Sequence, residues 1–249
     1  MPREIPRHSE VSGIASAAYL KASKHVYEDS YRMLSNAVKL VRESSRGQIF
    51  AVFDGISSAK RGGHSAQKMA EELLRFYREP KKFPRSSEGI KTLLMESNNN
   101  ICNWGVEVHN TGDRSLGGCA GTIAWIYEES AVIFHSGDTV AYYIGCGNNA
   151  VTQLTPLHQR EDGAIYNYFG IGNSLNIYMK EIKLEEGDRL LLLSDGVTKS
   201  FDMHEIADII TANANNDIAV WELVRLSRLK GSQDDITAML IEFEDEDIE

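Results

Sequence analysis

Basic residues are outnumbered in this 249-residue chain: 26 Lys and Arg stand against 36 Asp and Glu, for a formal net charge of -10. Most of such a surface would repel a nucleic-acid backbone, so a nucleic-acid partner is not expected. Cysteine is also scarce. Cys102, Cys119 and Cys146 are odd in number, far apart and without a C-x-x-C pair. That excludes a disulfide framework and a thiolate zinc site, and fits a reducing compartment. Apolar runs are short, and none reaches the ~18 residues that a membrane span requires. Residues 11–20 are too short and too interrupted for a secretory signal with a clear cleavage site. The expectation is therefore a cytoplasmic protein without a membrane partner. Residues 1–249 are read as a single domain, with a frayed acidic tail over about residues 243–249.

What is present is the composition of a folded domain, 42% hydrophobic and 25% charged. Short apolar or alternating runs at 37–41, 49–53, 122–127, 131–134, 141–144, 190–193 and 236–241 read as strands. Connections at 128–130 and 145–149 look like hairpins and favour antiparallel pairing. Helical periodicity appears over 69–77, 90–108, 203–213 and 218–229, with a breaker at Pro80-Lys-Lys-Phe-Pro84. Helices grouped around runs of strands predict an α+β layered domain.

The informative pattern is a series of acids beside glycines at strand ends. It comprises Asp54-Gly55, Gly137-Asp138, Asp195-Gly196 and Gly231-Ser-Gln-Asp234-Asp235, with Glu28-Asp29 earlier. After an apolar run, Asp-Gly puts a carboxylate at the sheet edge, where the glycine permits a sharp turn. Any one of these is an ordinary turn dipeptide. Together, carboxylates drawn from five places would repel one another unless cations neutralised them.

In order, Glu28-Asp29, Val52-Phe-Asp54-Gly55, Gly121-Thr122, Gly137-Asp138-Thr139, Ser194-Asp195-Gly196 and Asp234-Asp235-Ile236-Thr237 resemble the motif series of the metal-dependent type-2C serine/threonine protein phosphatases. The resemblance runs over about residues 20–241 and looks like that of a compact bacterial member. It implies a four-layer α/β/β/α sandwich, two mainly antiparallel sheets packed together and flanked by helices. It also implies two Mn²⁺ or Mg²⁺ ions. Asp54 would bridge them, Asp195 and Asp234 would complete one site, and Glu28 with the Gly55 carbonyl would serve the other. Asp29 would hold a metal-bound water, and Asp138 matches a ligand of a weaker third ion. An all-oxygen donor set suits these hard cations. The activity implied is hydrolysis of phosphoserine or phosphothreonine by a metal-bridging water or hydroxide attacking phosphorus. The implied partner is a phosphorylated protein substrate, with a serine/threonine kinase acting in opposition, and the chain is expected to be a monomer.

Departures keep two other readings open, a weak or inactive relative that binds a phosphoprotein as a regulator, and a small-molecule phosphatase of the same fold. Lys24 stands where the family often has a phosphate-gripping arginine; it either neutralises phosphate without a bidentate fork or is a solvated surface lysine. Ile56 replaces a histidine found in some members. His64, in Arg61-Gly-Gly-His-Ser, is a candidate general acid, with a helix-capping or loop-packing role as the favoured alternative. Lys199 occupies a position that is acidic in one family pattern, which argues against a fully formed third metal site and leaves contact with phosphate open. Asp235 replaces asparagine, and would strengthen metal binding or face solvent.

Overall fold

The computed structural model describes residues 5–22, 27–57, 59, 61–109, 117–147 and 150–244. Its strands are β1 (Ser9–Ser12), β2 (Ala15–Leu20), β3 (Ser30–Leu34), β4 (Gln48–Gly55), β5 (Cys119–Tyr127), β6 (Ser130–Ser136), β7 (Val140–Ile144), β8 (Val151–Gln153), β9 (Tyr178–Lys183), β10 (Arg189–Leu193) and β11 (Ile236–Glu242). Its helices are α1 (Lys39–Ser44), α2 (Gly62–Glu72), α3 (Arg75–Arg78), α4 (Ser87–His109), α5 (Asp195–Thr198), α6 (Met203–Thr211) and α7 (Asn216–Leu229).

The strands form two sheets, one in the order β1-β2-β11-β10-β7-β8 and the other β3-β4-β5-β6-β9. Every pairing between named strands is antiparallel. Because side chains alternate along a strand, each central strand serves two apolar layers. In β4, Phe50 and Val52 pack with Leu190, Leu192, Met239 and Ile241 between the sheets. Ile49, Ala51 and Phe53 of the same strand pack outward with Met69, Leu73, Ile90 and Leu93 of the covering helices. On the far side, Leu191, Leu193, Ala238 and Leu240 pack beneath Ile206, Ile210, Val220 and Leu223. The result is helix, sheet, sheet, helix, as the resemblance implied.

Burial of β4, β5, β10 and β11 on both faces explains why their sequences are almost continuously apolar. One strand expectation is corrected. Residues 37–41 lie in and before α1, where Val41 is buried and Val38 and Leu40 pack partly against the same core. Apolar residues at 37, 38, 40 and 41 satisfy i, i+3, i+4 spacing as well as they satisfy a short strand. The hairpin at 128–130 is a two-residue turn, with Tyr127 opposite Ser130 and Glu128 at φ 52°. No helix among the described residues is long and apolar enough to cross a membrane.

Candidate active site

The antiparallel register gathers one set of strand ends at a single end of the sandwich. Leu193 of β10 lies opposite Ala238 of β11 and Val140 of β7. Asp195 after β10, Asp234 before β11 and Asp138 before β7 therefore emerge together. In the other sheet Asp54 and Gly55 close β4, opposite Ala120 and Cys119. Asp54, Asp138, Asp195 and Asp234 line one cleft of about 450 Å³, with Gly55, Tyr168 and Lys199.

Gly55 and Gly196 serve close approach rather than sharp turning, since neither has positive φ, whereas Gly137 and Gly231 do, at φ 116° and 105°. A Cβ on Gly196 would lie 2.0 Å from the Asp235 carbonyl, and one on Gly55 would lie 2.4 Å from the Gly62 backbone. These contacts bring α5 onto β11 and the α2 N-terminus onto the end of β4.

The electrostatics are those of crowded acids. Burial raises Asp54 well above the ordinary carboxylate range, and repulsion from Asp29, Asp195, Asp138 and Asp234 adds to it. Burial pushes Asp195 up to about 6, even though the Lys199 ammonium pulls it down. Asp29 is 5% exposed, and burial pushes it up to about 8 against hydrogen bonds from Thr237 and Ser194. One oxygen each of Asp29, Asp138 and Asp195 is buried without a hydrogen-bond partner. Such oxygens cost free energy unless something donates to them or coordinates them. The donor set, all oxygen and mutually repelling, fits hard divalent cations. Among the described residues, no three His, Cys, Asp or Glu side chains are already set as a coordination sphere. Lys199 stands among them instead, its Nζ 2.5 Å from Asp195 Oδ2 and 3.1 Å from Asp234 Oδ2.

The other expected residues are placed differently. Glu28 reaches the site through its backbone, its carbonyl accepting the Gly55 N–H at 3.2 Å, while its carboxylate is not among the groups lining the cleft. Asp29 lies behind the cleft, where Thr237 Oγ1 donates to its Oδ2 at 2.6 Å. His64 is exposed in the first turn of α2 and does not line the cleft. Lys24 falls outside the described residues. Asp235 neither faces solvent nor lines the cleft. It is buried, its two oxygens accepting the Ala22 and Glu28 N–H groups at 2.6 Å each. An asparagine has one acceptor oxygen at that position, so the carboxylate is matched to its two donors.

Several working residues carry no sequence signal of their role. Thr237 belongs to an acid-glycine motif but donates to Asp29, its own N–H is taken by Ser194 Oγ at 2.9 Å, and Tyr27 Oη lies 2.6 Å from Thr237 Oγ1. Thr122 Oγ1 contacts His135 Nδ1 at 2.9 Å and Thr139 Oγ1 at 2.7 Å. Burial lowers His135 to about 3, so it is a neutral imidazole whose Nε2 donates to the Gly137 carbonyl. His158 Nδ1 accepts the Gly137 N–H at 3.1 Å, so two imidazoles fix the peptide leading into Asp138. Gln159 Nε2 then donates to Asp138 Oδ2 at 2.5 Å. The one legible signal is the Asp195–Lys199 spacing, which is i, i+4 if the Asp-Gly is read as a helical turn.

This fold, with acids converging at one sandwich end, defines a class that sequence comparison identifies. A family model for protein phosphatase 2C matches residues 27–223, and the chain belongs to that family. Protein phosphatase PhpP of Streptococcus pneumoniae is 41% identical over 66 residues, which cover 26% of this chain and 27% of PhpP. A putative 2C-type phosphatase of Streptococcus pyogenes is 38% identical over 66 residues, again 26% of this chain and 27% of the relative. The chain thus spans about a quarter of the length of the curated relatives it matches. Among solved structures, a bacterial serine phosphatase superposes with TM-score 0.79 at 20% identity, covering 97% of this chain and 100% of that one. Serine/threonine phosphatase Stp1 from Staphylococcus aureus superposes with TM-score 0.78 at 20% identity, covering 92% and 94%. At those identities the likeness establishes the shared fold.

Proposed function

We propose that this chain is a metal-dependent phosphatase acting on phosphoserine or phosphothreonine in proteins, its Asp54, Asp195 and Asp234 holding Mn²⁺ or Mg²⁺. The observation that carries the reading is the convergence of these carboxylates with Asp138 in one cleft, with orphaned oxygens on Asp138 and Asp195. Divalent cations held there would supply an activated water and neutralise the phosphoryl oxygens. Asp54 faces three carboxylates across the cleft and is suited to be shared between two ions. The Gly55 carbonyl and Glu28 are the candidates for the other side of the pair, Glu28 requiring a rotation of its side chain into the cleft. Asp29, one oxygen committed to Thr237, keeps Oδ1 to accept a hydrogen bond from a water beside the ions. Asp138, fixed by the Gly137 peptide and Gln159, would assist a weaker third ion.

His64 is the proposed leaving-group acid only if substrate binding brings it to the cleft; its exposed position on α2 favours release of the leaving group to solvent. Family membership and the likeness to protein phosphatases support a phosphoprotein substrate, and hence an opposing kinase. Beyond its acids the cleft is lined by small residues such as Ser57, Ala59, Gly163 and Ala164 together with Ile56, Ile165 and Tyr168.

Hydrolysis of phosphothreonine and phosphoserine peptides with Mn²⁺ or Mg²⁺ tests the reading. Phosphate release that stops with a chelator and returns with added cation is expected, with sugar phosphates turned over more slowly. A chain that binds cation and phosphopeptide but releases no phosphate would replace the enzyme by a regulator.

A further inference from the structure

Lys199 caps α5 one turn after Asp195, and its side chain is 58% exposed. It is the one cationic side chain among the described residues lining the acidic cleft. Its contacts consume acceptors. Asp234 Oδ1 takes the Asp235 N–H at 3.1 Å and Asp234 Oδ2 takes Lys199. Asp195 Oδ2 also takes Lys199, leaving Oδ1 buried and unpartnered. No ion could be shared by Asp195 and Asp234 through their Oδ2 atoms while the ammonium stands between them.

We propose that Lys199 is an internal counter-cation, holding Asp195 and Asp234 together before metal arrives and leaving when an ion binds between them. This rests on the metal-dependent reading above and adds a regulatory cost to it: the chain's own ammonium competes with the ion. A like charge at contact distance weakens cation binding, and its loss leaves two carboxylates facing each other unscreened. Removing the charge therefore has two opposite effects, tighter metal binding and a less stable metal-free fold. A lysine merely resting on the surface would produce neither.

The test uses the full chain freed of metal, comparing the native protein with Lys199→Gln and Lys199→Arg by Mn²⁺ titration calorimetry and thermal unfolding. Lys199→Gln is expected to bind Mn²⁺ about tenfold more tightly, the order for removing a unit charge from a partly solvated site. Its metal-free Tm should fall, while Lys199→Arg should stay near the native values. In the native chain, the ¹⁵N resonance of the Lys199 ammonium, assigned by its loss in Lys199→Arg, should shift on Mg²⁺ addition as the contact opens. Equal Mn²⁺ affinity in all three chains, or an ammonium resonance unmoved by saturating Mg²⁺, overturns the counter-cation and leaves the metal-dependent reading standing. Failure of every chain to bind Mn²⁺ overturns both.

Discussion

Asp54→Asn is expected to lower phosphopeptide turnover by roughly a thousandfold or more, since cations contribute several kcal/mol of charge stabilisation and each 1.36 kcal/mol is about tenfold in rate. Asp54 is the carboxylate that feels all the others, its ionisation opposed by Asp29, Asp195, Asp138 and Asp234. An amide of the same shape keeps the packing at the end of β4 but cannot carry the negative charge that two ions would share. The same substitution relieves the repulsion when no metal is present, so the metal-free variant should unfold at a higher temperature than the native chain. Lost turnover with raised metal-free stability separates a functional carboxylate from a structural one. A structural aspartate would give the reverse, lower stability with turnover falling only as the fold is lost. Steady-state kinetics with Mn²⁺, paired with thermal unfolding in chelator, reads both quantities.

The second large effect is the coupling of metal binding to pH. Asp195 is pushed up to about 6 and Asp29 up to about 8, chiefly by burial. A carboxylate whose folded pKa is raised favours the folded state while protonated. Its contribution is complete below the unfolded value near 4 and is lost as pH rises through the folded value. The metal-free chain should therefore lose this contribution between about pH 4 and 8. Cation binding requires the ionised carboxylates and must release protons in the lower part of that window. Mn²⁺ affinity should accordingly rise about tenfold from about pH 5 to 7, and the Tm gain on saturation should grow with it. Calorimetry in two buffers of different ionisation enthalpy measures the protons released. An affinity independent of pH across that range would mean that these carboxylates are not the groups that bind.

The acids and the layer architecture are legible in the sequence because each leaves a local mark. Residues 49–53 and 190–193 are apolar on both faces, and each run leads to an aspartate followed by a glycine. Residues 37–41 mislead because four apolar side chains in five positions suit a short strand and the buried side of α1 equally well. What local pattern cannot carry is register. Asp235 reads as a surplus charge next to Asp234, and only the approach of residues 22 and 28 shows that both its oxygens are occupied by backbone donors. Lys199 reads as a departure from an acidic pattern until the turn of α5 folds it back over Asp195. Gly196 reads as a turn residue, whereas its missing side chain makes room for the Asp235 carbonyl. Ser194 and Thr237 look like spacers in their motifs because the group they serve, Asp29, is remote in sequence.

Whether Asp54, Asp195 and Asp234 share divalent cations in the cleft between the ends of the two sheets can be read directly from crystals grown with Mn²⁺ and measured for anomalous scattering at the manganese edge. Two strong peaks are expected in that cleft, both against Asp54 and one against Asp195 and Asp234, with the Lys199 ammonium displaced. Manganese bound elsewhere on the surface, with Lys199 still between Asp195 and Asp234, would contradict that sharing.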